Sequence, residues 1–390
     1  MAPLIALALA ASAPAGEVRA WEPALQAAER DLCGKQVVLL GEDGFHGEGK
    51  SVAFRAVLIR RLVRRCGFRG VFFEASHYDF LAAERAAHKG ALTAAMILSA
   101  IGGKWSYDEE IAPLVAFLAA EARAGRLMLG GLDDTLGVRG AFYSLEAMPV
   151  ELAQFLPPGR REACDAALRQ RVRWEYSEAS PHDAAAIARL QSCLEEMRAA
   201  TTASAAEPHL RAERLEMIAS AERAIARDFV PLKANIAGRD RSMYLNFQWL
   251  TARLPRGAKT IVWAANQHVA RDAALDPDFT PGGDLGAYVH RAYGVRAFAL
   301  GFTAASGSYR WAGGDVRTIP AAAPDSLEGR LLGAAPDAVY AGPKRLAAFG
   351  DLPAALFDYR KPVKARWGQI FDGVVVFRAE RPPVRTDERH

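Results

Sequence analysis

Apolar residues recur along the chain with two different periods, which predict strands and helices in alternation. Short runs of apolar and β-branched residues, the first at 37–41, are typical of buried strands. Further strands are predicted at 70–74, 126–132, 260–264, 297–301, 337–340 and 374–378. Helical periodicity occupies the intervals at 22–32, 51–63, 79–98 and 108–123. This alternation predicts an α/β fold with a mostly parallel sheet and flanking helices.

A long segment without strand character separates the third predicted strand from the fourth. Residues 147–254 are rich in Ala, Arg, Glu and Leu at helical spacing, with breaks near "SPHD" and "TTASAAEP". We interpret this segment as a helical insertion in one α/β domain that spans 16–390. With 51% hydrophobic residues, the chain can bury a core of that size.

The first 15 residues form a short apolar run that ends in small residues, as a secretory signal peptide does. The alternative is a disordered Ala-rich leader. A signal peptide predicts a periplasmic or secreted protein. No later segment has the continuous apolar length of a membrane helix, so we expect no membrane span. The net charge of +4 comes without a long basic run, which argues against nucleic acid as a partner.

Four cysteines fall into two plausible pairs. Cys33 and Cys66 each precede a predicted strand by a few residues, so they lie at the same end of neighbouring parallel strands. Cys164 and Cys193 flank the break between two predicted helices, where an antiparallel hairpin would bring them together. Four buried thiols are the alternative. In an exported chain we expect the disulfides Cys33–Cys66 and Cys164–Cys193.

The loop after the first strand raises a question about its chemistry. The segment 44–51, "GFHGEGKS", matches the phosphate-loop pattern G-x-x-x-x-G-K-[ST] and lies between a predicted strand and a predicted helix. Three carboxylates, those of Glu42, Asp43 and Glu48, lie in or beside the loop. Because they would repel a phosphate, a different chemistry must be weighed.

Acids and histidines follow four of the predicted strands directly. Function in open α/β sheets gathers beyond the carboxyl ends of the strands, so these side chains are expected at one edge. They are Glu42 and His46, Glu74, Asp133 with Asp134, and Asn266 with His268. Each alone has an ordinary structural explanation as a cap, a turn former or a core histidine. Together they predict a functional site.

At these residues the chain resembles the erythromycin esterase family. The similar stretches are "LLGEDGFHGEGKSVAFRAVLIRRLVRRCGFRGVFFEAS", "KWSYDEEIAPLVAFL", "GGLDD", "GRDRSMYLNFQWL", "KTIVWAANQHVARD" and "GGDLGAYVHRAYGVRAFALGF". They occur in the family's order. The resemblance implies an α/β fold with a helical insertion and hydrolysis of a small-molecule ester or lactone by activated water. It implies no cofactor and no obligatory metal.

The resemblance also implies roles for individual residues. His46 matches the family's general base, and Glu74 matches the acid that ends the second strand. Arg55 matches a basic residue nine positions after that histidine, and His268 matches the second histidine of the family's "HNxH".

Three positions depart from the family pattern within the site. Ala265 replaces the first histidine of "HNxH", and Lys50 stands where the family usually has glutamate. The family's Glu-x-x-His spacing leaves open whether Glu42 or Asp43 is the family's acid. These departures predict poor hydrolysis of macrolides.

Ester hydrolysis requires a base for water and a positive or dipolar group for the oxyanion. A histidine suits the first role because its unperturbed pKa is about 6.5. The catalytic residues assigned are His46 as base, Glu42 or Asp43 and Glu74 as orienting acids, and His268 as stabiliser. The substrate-binding residues assigned are Arg55, Lys50 and Asp133. No G-x-S-x-G sequence presents a serine nucleophile.

Two rival functions use the same residues. His46, His268, Glu74 and Glu42 could hold a divalent metal whose bound water attacks the ester. Alternatively, loss of the histidine at Ala265 leaves a homologue that binds a ligand without catalysis. Arg239 and Asp240 could line the cleft, but an Arg/Asp pair at a helix start is more often a structural ion pair, and we leave them out of the catalytic set. We interpret Trp105, Tyr244, Trp249 and Trp263 as core residues.

Overall fold

A seven-stranded sheet forms the centre of the protein. The computed structural model describes residues 15–137, 142–311, 314–333 and 337–386. The strands are β1 (Val37–Leu40), β2 (Phe68–Ser76), β3 (Met128–Asp133), β4 (Lys259–Trp263), β5 (Ala297–Ala304), β6 (Gly307–Arg310), β7 (Val316–Ile319), β8 (Ala338–Ala341), β9 (Leu352–Ala354), β10 (Val363–Ala365) and β11 (Gly373–Phe377). The sheet has the order β3-β2-β4-β1-β5-β11-β8. Its strands run parallel except β8, which pairs antiparallel with β11.

The predicted fold class is confirmed, and the seven predicted strands are those of the sheet. The pairs β6–β7 and β9–β10 are short antiparallel additions that the sequence patterns did not predict. The prediction of one helix at 79–98 was wrong, because two helices, at His77–His88 and Ala94–Ile101, occupy this segment. Gly90, in the left-handed conformation with φ 69°, follows the first helical piece, and the Thr93 side chain caps the second.

Helices flank both faces of the sheet. They are α1 (Ala15–Leu32), α2 (Gly49–Cys66), α3 (His77–His88), α4 (Ala94–Ile101), α5 (Ala112–Arg123), α6 (Met148–Ala153), α7 (Pro158–Arg173), α8 (Ala184–Ala203), α9 (Pro208–Ile225), α10 (Leu232–Ala252), α11 (Asn266–Val269), α12 (Leu285–Tyr293), α13 (Leu327–Leu332), α14 (Pro343–Ala347) and α15 (Trp367–Ile370). Alternate residues of β1 serve two cores: Val38 and Leu40 face one, and Val37 and Leu39 face the other. This period of two places helices against both faces.

In the described part of the chain between β3 and β4 lie the helices α6–α10. Their apolar side chains, among them Met148 and Met217, pack into a third core. Helix α10 then returns to the sheet, where Phe247 and Leu250 join the core on one face. This path positions the middle of α10 at the edge of the sheet where β2, β3 and β4 end.

Both predicted cysteine pairs lie at disulfide distance. The Cα atoms are 5.0 Å apart for Cys33 and Cys66, and 5.4 Å apart for Cys164 and Cys193. These distances fall within the range that a disulfide requires. The pairing is compatible with an extracellular location. The predicted signal peptide, 1–15, lies outside the described residues except for Ala15, which begins α1. In the described part of the chain, none of the helices has the length and apolarity to cross a membrane.

Candidate active site

The end of β1 brings Glu42 and His46 together. Nδ1 of His46 lies 2.6 Å from Oε1 of Glu42. Nε2 of His46 has no hydrogen-bond partner among the described residues, and the side chain is 13% exposed. His46 adopts a φ of 56°, a left-handed conformation that is costly for a residue with a Cβ. The backbone therefore holds the ring against Glu42 with its outer nitrogen unpaired.

The second oxygen of Glu42 is also held. Oε2 of Glu42 lies 2.7 Å from Nη2 of Arg55 and accepts a 3.1 Å hydrogen bond from the indole of Trp105. Arg55 is fully buried, and its Nη1 donates to the carbonyl of Gly41 at 2.9 Å. Burial raises the pKa of Glu42, but the neighbouring Arg55 and His46 outweigh burial and lower it. Glu42 is thus an ionised, immobile partner for the histidine.

Asp43 turns away from the ring of His46. Its Oδ1 accepts the backbone N–H of Phe45 at 3.0 Å, and its Oδ2 has no hydrogen-bond partner among the described residues. Burial and the charge of Glu48 raise the pKa of Asp43 well above its ordinary value. The four-residue spacing to Glu42, rather than the three-residue spacing to Asp43, therefore provides the carboxylate that contacts His46.

Glu74, at the end of β2, lies between two cations. Its Oε1 is 2.6 Å from Nζ of Lys104 and 2.8 Å from Nη2 of Arg239, and its Oε2 accepts the backbone N–H of Ala265 at 2.9 Å. Burial opposes ionisation of Glu74, but the neighbouring Lys104, His268 and Arg239 hold its pKa well below its ordinary value. Lys104 and Arg239 remain 28% and 20% exposed, so both can meet a ligand.

His268 belongs to the same network. Its Nδ1 lies 2.9 Å from Asp240, and Nη1 of Arg239 lies 3.0 Å from its Nε2. Arg239 also forms two contacts with Asp133, at 3.3 and 2.5 Å. Because Arg239 can only donate, the contact with Nε2 requires a neutral ring whose Nδ1–H points to Asp240. Burial lowers the pKa of His268, whereas Asp240 and Glu74 outweigh burial and raise it.

Three functional candidates come from contacts that the sequence interpretation missed. Arg239 and Asp240 do not form the local ion pair expected of them: each contacts a different partner, and both lie within α10 rather than at its start. Trp105 is buried as expected, but its indole N–H binds Glu42. The sequence could have indicated the separate roles of Arg239 and Asp240, because adjacent residues of a helix point in different directions and do not face each other.

The segment that resembles a phosphate loop is already occupied by a carboxylate. The backbone amides of Lys50 and Ser51, in the first turn of α2, donate to Glu380 at 2.6 and 3.1 Å. A phosphate in such a loop would use the same amides. The ammonium group of Lys50 lies 2.7 Å from Asp337. The chain therefore supplies its own carboxyl group to this helix terminus.

We expect no saturable binding of ATP or GTP in the presence of magnesium, because Glu380 occupies the amides that a phosphate would need. The Lys50→Ala variant should respond to nucleotide as the wild type does. Equilibrium binding of a fluorescent ATP analogue to the wild type and to Lys50→Ala tests both expectations. Micromolar, magnesium-dependent binding that Lys50→Ala abolishes would show that the phosphate-loop interpretation is correct.

Replacing Glu74 with glutamine should lower the free energy of unfolding by about 2–3 kcal/mol near neutral pH. This loss is smaller than the ~3–5 kcal/mol that breaking a fully buried ion pair costs, because the partners Lys104 and Arg239 are partly exposed. The depressed pKa means that the stabilisation is complete above about pH 4.3, the ordinary pKa of glutamate, and is lost as pH falls through the folded-state value. The difference in unfolding midpoint from wild type should therefore shrink below about pH 4.

The matched control is Glu178→Gln, at an exposed loop position of the helical region. Its unfolding midpoint should stay close to that of the wild type at every pH. A difference between Glu74→Gln and wild type that grows toward low pH would contradict the assigned charge of Glu74.

Comparison with known proteins identifies a family and solved structures with this fold. The sequence model of the erythromycin esterase family matches residues 63–379. That range includes Glu74, Asp133 and His268 and begins after the loop that carries His46. No curated protein sequence matches the chain.

Three solved structures share the fold over nearly their whole lengths. A Bacillus cereus protein has a TM-score of 0.74 and 16% identity, with 92% of both chains covered. A succinoglycan biosynthesis protein has a TM-score of 0.71 and 15% identity, covering 92% of this chain and 91% of the other. A mutant of the erythromycin esterase EreC in its open conformation has a TM-score of 0.63 and 16% identity, covering 91% and 93%. Since the family match extends over most of the sequence, the chain belongs to the erythromycin esterase family.

Proposed function

We propose that the protein is a hydrolase that cleaves a carboxylic ester or lactone with water activated by His46. The observation that carries this proposal is the contact of His46 with Glu42 at Nδ1, with Nε2 left unpaired and the ring partly exposed. A neutral imidazole with Nδ1–H bound to a carboxylate presents its Nε2 lone pair to a water molecule. Proton transfer from that water to Nε2 makes it the nucleophile.

Glu42 has two tasks in this mechanism. It fixes the ring and the tautomer of His46, and its negative charge stabilises the imidazolium that forms when the water loses its proton. Arg55 and Trp105 hold Glu42 in place. Because Arg55 is fully buried, it acts as a positioning residue rather than as the substrate-binding residue that the sequence suggested.

Positive charge for the developing oxyanion comes from other side chains. Lys104 and Arg239 flank Glu74 and are partly exposed, so a substrate carbonyl can approach them. His268 is tied at both nitrogens, to Asp240 and Arg239. Its first task is therefore to orient Arg239. Preorganised donors of this kind typically contribute about 10²–10³-fold in turnover each.

Macrolides are expected to be poor substrates. The methyl group of Ala265 offers no donor in place of the family's histidine, and its backbone N–H is bound to Glu74. Lys50 does not compensate, because Asp337 neutralises its ammonium group. Loss of one donor predicts about 10²–10³-fold slower ring opening than an intact site would achieve. A direct assay of erythromycin ring opening measures this rate, and expression in a susceptible host shows whether the protein confers resistance. Efficient cleavage of erythromycin would contradict the prediction.

The metal-dependent alternative fits the site less well. Glu74 is paired with two cations and Glu42 with one, so the charges that would attract a divalent ion are compensated. Among the described residues, the one group of His, Cys, Asp and Glu side chains that is spaced for a metal is Glu29 with Cys33 and Cys66, where the two cysteines pair. Metal analysis of protein purified without added metal, together with activity after chelation, separates the two mechanisms.

A screen of esters and lactones of different acyl and alcohol groups tests the proposed function. Wild-type protein should hydrolyse at least one class, and the activity should survive chelation. Protein that binds members of the screen but hydrolyses none would instead favour the ligand-binding homologue.

A further inference from the structure

A cavity of about 350 Å³ lies beside the candidate active site. Gly44 and Phe45, which directly precede His46, form one wall, and Gln267, which directly precedes His268, contributes to it as well. Residues of the segments 275–278 and 357–363 complete the lining. The volume falls in the range of roughly 300–1,000 Å³ that is typical of small-molecule sites. The cavity is therefore bounded by the two segments that carry the candidate histidines, the loop after β1 and helix α11.

The side chain of Gln267, which contributes to this wall, has a buried polar atom without a hydrogen-bond partner among the described residues. The side chain is 9% exposed, and its Nε2 donates to the carbonyl of Phe357 at 2.8 Å. Within the described residues, Oε1 of Gln267 has no hydrogen-bond partner. Buried polar atoms are usually paired, and an unpaired one lowers stability. A ligand that brings a hydroxyl or N–H donor would satisfy this atom.

The remaining lining combines a fixed aromatic ring with carboxylates. Phe45 stacks on Trp311 with ring centroids 3.8 Å apart, and the guanidinium of Arg360 lies 4.9 Å from the Phe45 ring. Arg360 is held in turn by two contacts with Asp358, at 2.9 and 2.8 Å. The Phe45 ring is therefore a fixed apolar surface, and a ligand that packs against it does not have to order the side chain on binding.

The charged residues that line the cavity indicate which charge a ligand can carry. Asp276, Asp278 and Asp358 line the cavity together with Arg360 and Lys361. The contacts with Asp358 neutralise Arg360, and Lys361 offsets one of the two other aspartates, so the lining keeps one negative charge. Carboxylates accept hydrogen bonds from hydroxyls but repel phosphate and carboxylate groups.

We propose that this cavity is a subsite for a neutral, hydroxyl-bearing ring of the substrate, of the sugar or polyol class. The inference rests on the proposed function, since it assigns this ring to the ester that His46 hydrolyses. The C–H face of the ring packs against Phe45, and a hydroxyl donates to Oε1 of Gln267. Carboxylates at the rim, including that of Asp278, accept further hydroxyls.

Binding of methyl glycosides and inositol tests the subsite without requiring turnover. Ligand-observed NMR would be recorded with wild type and with His46→Ala, which removes the proposed base but leaves the cavity intact. We expect both proteins to bind at least one of these probes, and cyclohexanol, which has a single hydroxyl, to bind more weakly. Gln267→Leu and Phe45→Ala should each weaken binding by about tenfold or more.

Gln248→Leu is the matched control, because Gln248 is an exposed glutamine on α10, and its binding should equal that of wild type. Asp278→Asn, at an exposed position, tests the rim without risk to folding and should weaken binding several-fold. Equal binding by Gln267→Leu and wild type, or no binding of any sugar or polyol probe, would overturn the subsite. A preference for anionic probes would also overturn it.

The two proposals fail in different ways. Ester hydrolysis that depends on His46, without binding of any probe, would remove the subsite and leave the proposed function standing. Probe binding that Gln267→Leu abolishes, in a protein that hydrolyses no ester, would support the cavity as a sugar or polyol site and remove its assignment to a hydrolytic substrate.

Discussion

Replacing Glu42 with glutamine is expected to lower turnover by about 10²–10⁴-fold, because the variant no longer fixes the tautomer of His46. The carboxylate oxygen 2.6 Å from Nδ1 can only accept, so Nδ1 carries the proton and Nε2 stays free for water. A glutamine can turn its NH₂ group toward Nδ1 instead, which would move the ring proton to Nε2. A histidine in that tautomer cannot take a proton from water.

The same substitution should also destabilise the protein. Arg55 is fully buried and uses Glu42 as its charged partner, so removing that charge leaves a buried cation paired only with carbonyl oxygens. Breaking a buried pair from one side typically costs about 3–5 kcal/mol. Thermal unfolding and ester hydrolysis, measured below the unfolding midpoint of the variant, report the two effects separately.

Glu84→Gln is the control for this experiment. Glu84 forms a largely buried ion pair with Arg253, at 2.8 Å, on α3 and away from the candidate site. Glu84→Gln should lower the free energy of unfolding. Any decrease in its turnover should be no larger than the decrease in the fraction of folded protein. If Glu42→Gln and Glu84→Gln changed turnover equally, Glu42 would be a structural residue and not the partner that orients His46.

The sheet could be predicted from the sequence because its strands are buried on both faces. Such strands appear as short, nearly continuous apolar runs, and 37–41 and 374–378 are clear examples. The strands of the separate pairs β6–β7 and β9–β10 are three or four residues long and include partly or fully exposed positions, so they leave no such run. The location of the site followed from the same logic, since strand ends in a parallel sheet share one edge.

The contacts within the site could not be predicted in the same way. Lys104 reaches Glu74 from the short helical segment after α4, and Arg239 reaches it from α10, so both pairs depend on tertiary packing. The choice between Glu42 and Asp43 depended on the left-handed backbone at His46, which no local pattern indicates. Glu380, 330 residues beyond Lys50, fills the end of α2 only because the chain after β11 returns to that helix.

The hydrolytic activity of His46→Ala tests the central claim most directly. Nε2 of His46 is the unpaired imidazole nitrogen held in place by Glu42, so its removal takes away the base that activates water. On the best ester from the screen, kcat/KM should fall by about 10²–10⁴-fold. His88→Ala, which removes an exposed histidine from the end of α3, should retain the wild-type value. A His46→Ala variant that hydrolyses the ester as fast as wild type would contradict the assignment of His46 as the base.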